Sequence, residues 1–374
     1  MRYVSTRGKS PEASFKEVLL RGLAPDGGLY LPTTWPQFNV NELRKVLGGN
    51  FSYQTLASEI IYPFTKDSID KDELSELIHR AYGSFSAEDI VPMKCLNSKL
   101  WIAELFHGPT LAFKDIALQL VGELFENQLQ KESENITIVG ATSGDTGSAA
   151  IEACRDRESM EIFILHPHGR TSEVQRRQMT SVHSKNVFNI AIEGTFDDCQ
   201  DLVKDMFADV DFSTRINMSA VNSINWARVM TQIVYYWWAS MQITDNGIVN
   251  FCVPSGNFGN IFAGFSAHKM GLPVERFIVA SNRNDVLDRF FRNGEMELRD
   301  VAPTYSPSMD IQVSSNFERL LFEVFERDGL RVEQAFKALR SKGSLSVSGN
   351  ILAGIQRKWA SFKVSDSETL ARIK

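Results

Sequence analysis

Three stretches of this 374-residue chain bring reactive or anion-holding residue types together at close spacing. The first runs from Gly140 to Ser148, GATSGDTGS, between the apolar ITIV and the helix-like SAAIEACRD. Its glycines let the backbone turn tightly, its hydroxyls and amide N–H groups line the turn, and a following helix N-terminus favours an anion. The lysine of a Walker A loop is missing and the glycines do not follow GxGxxG, which suits an anion cradle better than a triphosphate clamp. Ser, Thr and Asp are also good helix caps, so a cap and turn without a ligand stays open. The second stretch, PSGNFGN from Pro254 to Asn260, repeats the design after another apolar run. The third is ELFHGPTLAFKD, where Lys114 follows Phe113 at the start of a helical run. Burial there would disfavour the ammonium form and leave a nucleophilic amine. The ordinary alternative is a surface lysine in the first turn of an amphipathic helix.

A reactive amine and two anion cradles together match the demands of pyridoxal phosphate: a Schiff-base lysine, a cup for the phosphate and a second turn for a substrate carboxylate. If both turns face one crevice, a single ligand is held at two anionic groups. A phosphate-binding module without pyridoxal chemistry would leave ELFHGPTLAFKD unexplained. His107, His166 and His168 come with no HExxH and no carboxylate cluster, so no metal is expected and structural or surface roles are favoured for them.

The elements that must position these residues follow from pattern. From Lys99 short apolar runs alternate with helical stretches: LWIAELF, AFKDIALQLVGELFENQL, NITIVGAT, GSAAIEACRD, EIFILHP, and later IVNFCVPSG, NIFAGFSAHKMG and RFIVASN. Strand–helix alternation predicts an open, mainly parallel α/β sheet, whose ligands sit beyond the carboxyl ends of the strands. SINWARVMTQIVYYWWASMQI reads as one long, mostly buried helix. The start of the chain reads as helices joined by turns, with Ser10 as a cap, apolar spacing at Phe15, Val18 and Leu19, and a turn at Pro25–Gly28. The expected organisation is an N-terminal mainly helical region over 1–95, an α/β lobe over 96–230 carrying Lys114 and the 140–148 turn, and a second α/β lobe over 231–374 carrying the 255–260 turn.

Composition sets the class. Apolar residues at 43% and charged residues at 23% are those of a globular chain. Forty Lys plus Arg against forty-six Asp plus Glu leave −6 with no dense basic block, which argues against nucleic acid or an anionic membrane as partner. Cys95, Cys154, Cys199 and Cys252 lack CxxC spacing and read as buried free thiols in a reducing compartment. With no apolar signal core at the start and no run of about 18 apolar residues, the cytoplasm is the default.

The chain resembles the threonine synthases, fold-type II pyridoxal-phosphate enzymes of the tryptophan synthase β-like fold, in the longer form of many bacteria and fungi. The resemblance is carried in family order by GLAPDGGLYLP at 22–32, ELFHGPTLAFKD at 104–115, GATSGDTGSAA at 140–150, NSINWAR at 222–228, VPSGNFGN at 253–260 and SPSMDIQVSSNFERLLFE at 306–323. It implies that Lys114 bonds the cofactor and later moves protons, and that Gly256, Asn257, Phe258, Gly259 and Asn260 cup its phosphate. It places Asp145 where related enzymes set an asparagine beside the ring hydroxyl; an aspartate there needs to be protonated or turned away. Ser143 and Thr146 would take the substrate carboxylate, with Asn222, Asn225 and Arg228 as further substrate residues. Arg228 suits a substrate phosphate by its planar fork, or else bridges the two lobes.

The implied reaction converts O-phospho-L-homoserine and water into L-threonine and phosphate by γ-elimination and β-addition. A phospho-lyase releasing 2-oxobutyrate from the same substrate and a catalytically silent relative are the rivals; monomer and homodimer are both open. Against the family the chain looks short at its carboxyl end, which lacks an Asp-Pro-His-Thr-Ala-like stretch, and Val364–Lys374 reads as a cap and barely two helical turns with no stop signal. The expectation from that shortness, for a polypeptide of only these residues, is weak cofactor binding and slow turnover or none.

Overall fold

Two parallel sheets, each built from apolar runs that end in a glycine-containing turn, carry the candidate residues. The structure, a computed structural model, describes residues 1–49, 51–87, 89–219, 223–243 and 247–373. The chain divides into two compact units, one made of Met1–Val18, Leu23–Gly49 and Gln232–Lys374, the other of Leu19–Gly22 and Asn50–Thr231. The expected 1–95 region is therefore not a unit of its own. Its beginning belongs with the C-terminal half because Tyr3–Ser5 pairs antiparallel with Tyr30–Pro32, while Thr6 and Arg7 bond Glu318 and the Arg319 Nε donates to the Tyr30 carbonyl. Its remainder packs in the other unit, where Arg80 meets Glu123 at 2.8 Å and the Tyr82 hydroxyl donates to the Ile116 carbonyl.

In the Asn50–Thr231 unit four parallel strands lie in the order Val187–Ile192, Met160–Pro167, Ile136–Ala141 and Met218–Ser219. Val139, Leu165 and Cys199 form an apolar cluster beneath them. The helices Lys114–Glu132 and Asp145–Cys154 approach closely: a Cβ on Gly122 would lie 2.5 Å from the Ala153 carbonyl oxygen. Gly122 and Ala153 each stand eight residues into their helix. The close approach therefore brings the two first residues, Lys114 and Asp145, to one level.

In the other unit three parallel strands lie in the order Trp359–Lys363, Val274–Ser281 and Val249–Pro254. The helix Gly259–Lys269 follows the last of these after the 255–258 turn. Phe258, Phe265, Phe277, Phe291, Phe317 and Trp359 stack edge and face in its core.

Several expectations change. LWIAELF does not open the parallel sheet: Leu100–Ala103 pairs antiparallel with Met93–Asn97 in a hairpin whose turn is closed by Asn97 Oδ1 accepting from Lys99 N, and Leu100, Trp101 and Ile102 stay exposed. The first long-range helix, Phe15–Arg21, is capped by Ser14, whose hydroxyl accepts from Glu17 N, while Ser10 accepts from Asp26 N instead. All four cysteines are free, but only Cys154 and Cys199 are buried. The chain's last described residues form the helix Asp366–Ile373. Among the described residues no helix is long and apolar enough to cross a membrane.

Candidate active site

Lys114 is the first residue of its helix, and the loop before it is held by its neighbour. The Asp115 carboxylate accepts from the Thr110 amide at 2.8 Å and the Thr110 hydroxyl at 2.7 Å, and Gly108 lies against the same side chain, where any Cβ would collide. With Asp115 turned back into the loop, Lys114 points elsewhere: its Nζ lies 2.6 Å from Asp145 Oδ1 and donates to Thr146 Oγ1 at 2.7 Å. Burial pushes the amine's pKa below the ordinary lysine value, Asp145 pulls it up, and the Arg228 cation pushes it down. Lys114 is thus a largely buried amine whose charged form burial disfavours, with Asp145 opposing that effect. Asp145, expected beside a ring hydroxyl, here holds the lysine.

The 140–148 turn uses part of its own donor set. Thr142 Oγ1 accepts from Gly144 N at 3.0 Å and Gly147 N at 2.8 Å, so two amides that sequence alone assigned to an anion are engaged. Gly144 takes φ +148° with Gln175 packed against it, and a Cβ on Gly147 would lie 2.5 Å from the Thr142 methyl. The half-buried Ser143 hydroxyl makes no hydrogen bond among the described residues.

Arg228 lies in the first turn of the helix Trp226–Ile243. It is buried, and its Nη1 has no hydrogen-bond partner among the described residues. Burial pushes its pKa down to about 10, against the pull of Asp145. An unmet donor on a buried cation is costly, and an anionic ligand would satisfy it. Asn225 has a different task from the one expected: its Nδ2 donates to the Leu19 carbonyl at 2.8 Å and its Oδ1 accepts from Ala227 N at 2.9 Å, so it starts the helix that carries Arg228. Asn222 lies outside the described residues.

The 254–260 turn points its side chains inward. Phe258 is the left-handed residue, φ 64°, and its ring is fixed against Phe317 and Trp359; neither flanking glycine takes a positive φ. Gly256 is required by close approach, since a Cβ would lie 3.0 Å from Met309 Cα. Asn257 Oδ1 accepts from Ser315 N at 3.1 Å, and Asn260 Oδ1 accepts from both Tyr235 and Tyr236 hydroxyls, at 2.5 and 2.8 Å. The amides of Gly256, Phe258 and Gly259 have no partner among the described residues. Backbone donors at the start of the Gly259–Lys269 helix are what this turn offers an anion.

The histidines stay outside this chemistry. His107 Nε2 pairs with Glu104 at 2.8 Å and His168 with Glu193 at 3.0 Å. His166 is buried, with its pKa lowered by burial. Among the described residues no cluster of three or more His, Cys, Asp or Glu side chains is placed to hold a metal ion.

Two family models match the chain: one described as threonine synthase N terminus over residues 2–82, and one described as pyridoxal-phosphate dependent enzyme over residues 88–341. The chain is 50% identical over 374 residues to a threonine synthase of Pseudomonas aeruginosa, covering 100% of this chain and 79% of that protein. The crystal structure of pyridoxal-phosphate-bound threonine synthase from Brucella melitensis matches with a TM-score of 0.95 at 47% identity, over 99% of this chain and 80% of that one. The crystal structure of threonine synthase from yeast matches with a TM-score of 0.93 at 44% identity, over 98% of this chain and 77% of that one.

Proposed function

The chain belongs to the threonine synthase family of fold-type II enzymes, lyases that use pyridoxal phosphate to convert O-phospho-L-homoserine and water into L-threonine and phosphate, and we propose how its own residues divide that work. The residues fit the cofactor: Lys114 supplies a buried amine, and the turn at Gly256, Asn257, Phe258, Gly259 and Asn260 supplies a helix start with unengaged amides for a phosphate. When bound, the pyridine ring supplies an electron sink for the carbanions that proton removal from the amino acid creates.

Lys114 is the residue that would hold the cofactor through its Nζ, and the same amine would take the proton from the substrate α-carbon. An amine can do this only when neutral, and burial favours that form against the pull of Asp145. Thr146 and Asp145 aim Nζ in the free enzyme, and Asp145 stabilises the ammonium after proton uptake. The Ser143 and Thr146 hydroxyls, with amides of the same turn, take the substrate carboxylate. Arg228 pairs with the substrate phosphate and steadies the charge that grows as phosphate leaves from Cγ. Asn225 acts through Arg228 by fixing the start of its helix.

This enzyme works in the cytoplasm as a monomer or homodimer, without nucleic-acid or membrane partners. Support comes from a net charge of −6 with no basic block and from four free cysteines.

The observation that carries the proposal is the Lys114–Asp145–Thr146 contact at 2.6–2.7 Å in a buried site. The test is incubation with pyridoxal phosphate and O-phospho-L-homoserine, assaying threonine, 2-oxobutyrate and phosphate together. Threonine and phosphate in equal amounts are expected; 2-oxobutyrate as the sole carbon product would make the chain a phospho-lyase instead.

A further inference from the structure

The segment 301–316 has almost no regular structure, only a single turn of 3-10 helix at Pro307–Met309, and Val301, Tyr305 and Val313 along it are exposed. Side chains must therefore hold it in place. Asn282 and Asn284 tie it to the sheet at Ala302, Thr304, Ser306 and Asp310, and among these contacts one carboxylate gathers four donors. Asp310 Oδ1 accepts from Asn282 Nδ2 at 2.7 Å, Asn284 Nδ2 at 2.9 Å and the Thr304 hydroxyl at 2.7 Å, and Oδ2 accepts from Thr304 N at 2.9 Å. Asn282 and Asn284 are buried and come directly after the central strand Val274–Ser281, the neighbour of the strand that launches the 254–260 turn. Asp310 thus references the segment to the sheet.

The other edge of the same segment shapes the turn. Met309 and Ile311 stand against Gly256, the Ser314 hydroxyl donates to the Gly256 carbonyl at 2.7 Å, Ser315 N donates to Asn257 Oδ1, and Asn316 N donates to the Asn257 carbonyl at 3.2 Å. These bonds occupy the carbonyl side of Gly256 and Asn257, and none of them uses the Gly256 amide.

We propose that Asp310 is a positioning residue for the phosphate cradle, tying down the 301–316 segment so that Gly256 and Asn257 are held ready before any phosphate arrives. The inference rests on reading 254–260 as the seat of the cofactor phosphate. Without Asp310, the Thr304 amide and hydroxyl lose their acceptor and the buried Asn282 and Asn284 each lose one of several, the segment loosens, and preorganisation of the cradle is lost.

The experiment compares pyridoxal phosphate with pyridoxal, which lacks the phosphate, by titrating cofactor-free protein and following the visible band. Asp310→Ala should lower affinity for pyridoxal phosphate about tenfold, the scale of one lost charged hydrogen bond, and leave affinity for pyridoxal unchanged. Asp310→Asn keeps the shape and one carbonyl acceptor, so it should give a smaller loss of the same selective kind, and it is read alone if the alanine variant does not fold. Equal losses for both ligands, or no loss for either, would overturn the proposal. Gly256→Ala tests the cradle separately by crowding Met309. If that variant keeps the full preference for pyridoxal phosphate, the cradle reading itself fails and the proposal with it. If it loses the preference while the Asp310 variants keep theirs, only the role of Asp310 fails.

Discussion

The two glycine-containing turns look alike in sequence and are built in opposite ways. Around the 140–148 turn the side chains are left to act: Lys114, Asp145 and Thr146 bond one another, Arg228 keeps a buried Nη1 without a partner among the described residues, and Thr142 consumes two of the turn's amides. In the 254–260 turn the side chains of Asn257, Phe258 and Asn260 are spent on the interior and the amides are left over. One turn offers side-chain chemistry and the other offers backbone electrostatics. In the proposed function, proton movement and substrate charge fall to the first turn and holding to the second.

The comparison breaks most visibly at Lys114. Lys114→Ala should lower turnover by about ten-thousand-fold or more, since the group that moves the proton is gone. Cofactor should still bind through the second turn, without the visible band of a lysine-bound cofactor. Equilibrium dialysis checks this, and complete loss of binding would show that the two turns do not divide the work.

Arg228→Met comes next. It should raise KM for O-phospho-L-homoserine about a hundredfold, by the loss of charge-assisted bonds worth about 3 kcal/mol, while affinity for pyridoxal phosphate stays unchanged. The same change should raise the Tm of the ligand-free protein, because it removes a buried cation whose Nη1 is unpaired. A lower Tm would mark Arg228 as a structural tie.

Asn260→Ala acts on the other side. The Tyr235 and Tyr236 hydroxyls lose the Asn260 Oδ1 acceptor while Tyr236 keeps the Asn260 carbonyl at 3.0 Å, costing about 1 kcal/mol of stability, and affinity for pyridoxal phosphate should fall about tenfold. Its kcat at saturating cofactor should match the wild type; a large fall in kcat would blur the distinction between the turns.

The smallest effect is on pH dependence. Only the neutral amine attacks the cofactor, so the rate of cofactor uptake should rise with pH through a midpoint below 10.5, because burial disfavours the charged form of Lys114. Asp145 raises that midpoint, so Asp145→Asn should lower it further; Arg228 lowers it, so Arg228→Met should raise it. Stopped-flow rates across the alkaline range would show both directions, and shifts of the opposite sign would contradict the charge balance.

Both turns and the lysine were legible in sequence because strand, glycine-containing turn and helix start are local patterns. What was hidden depends on residues far apart in the chain. Phe258 takes the left-handed conformation because Phe317 and Trp359 hold its ring, although the glycines beside it are the residues usually suited to that role. Asn260 reads as a ligand-facing side chain until Tyr235 and Tyr236 are seen to use its oxygen. The Lys114–Asp145 pair depends on Gly122 passing close to Ala153, which nothing in the helical pattern of either segment announces. The strands Tyr3–Ser5 and Trp359–Lys363 escaped because three and five residues are too few to show a period. Asn97-Ser98-Lys99 is a hairpin turn, a local pattern that explains why LWIAELF leaves the parallel sheet.

The central claim is that Lys114 is the amine that takes the cofactor. Borohydride reduction of the protein incubated with pyridoxal phosphate, followed by peptide mass mapping, tests it in one step. A single stoichiometric phosphopyridoxyl group on Lys114 is expected, and a label on other lysines with Lys114 unmodified would contradict that role.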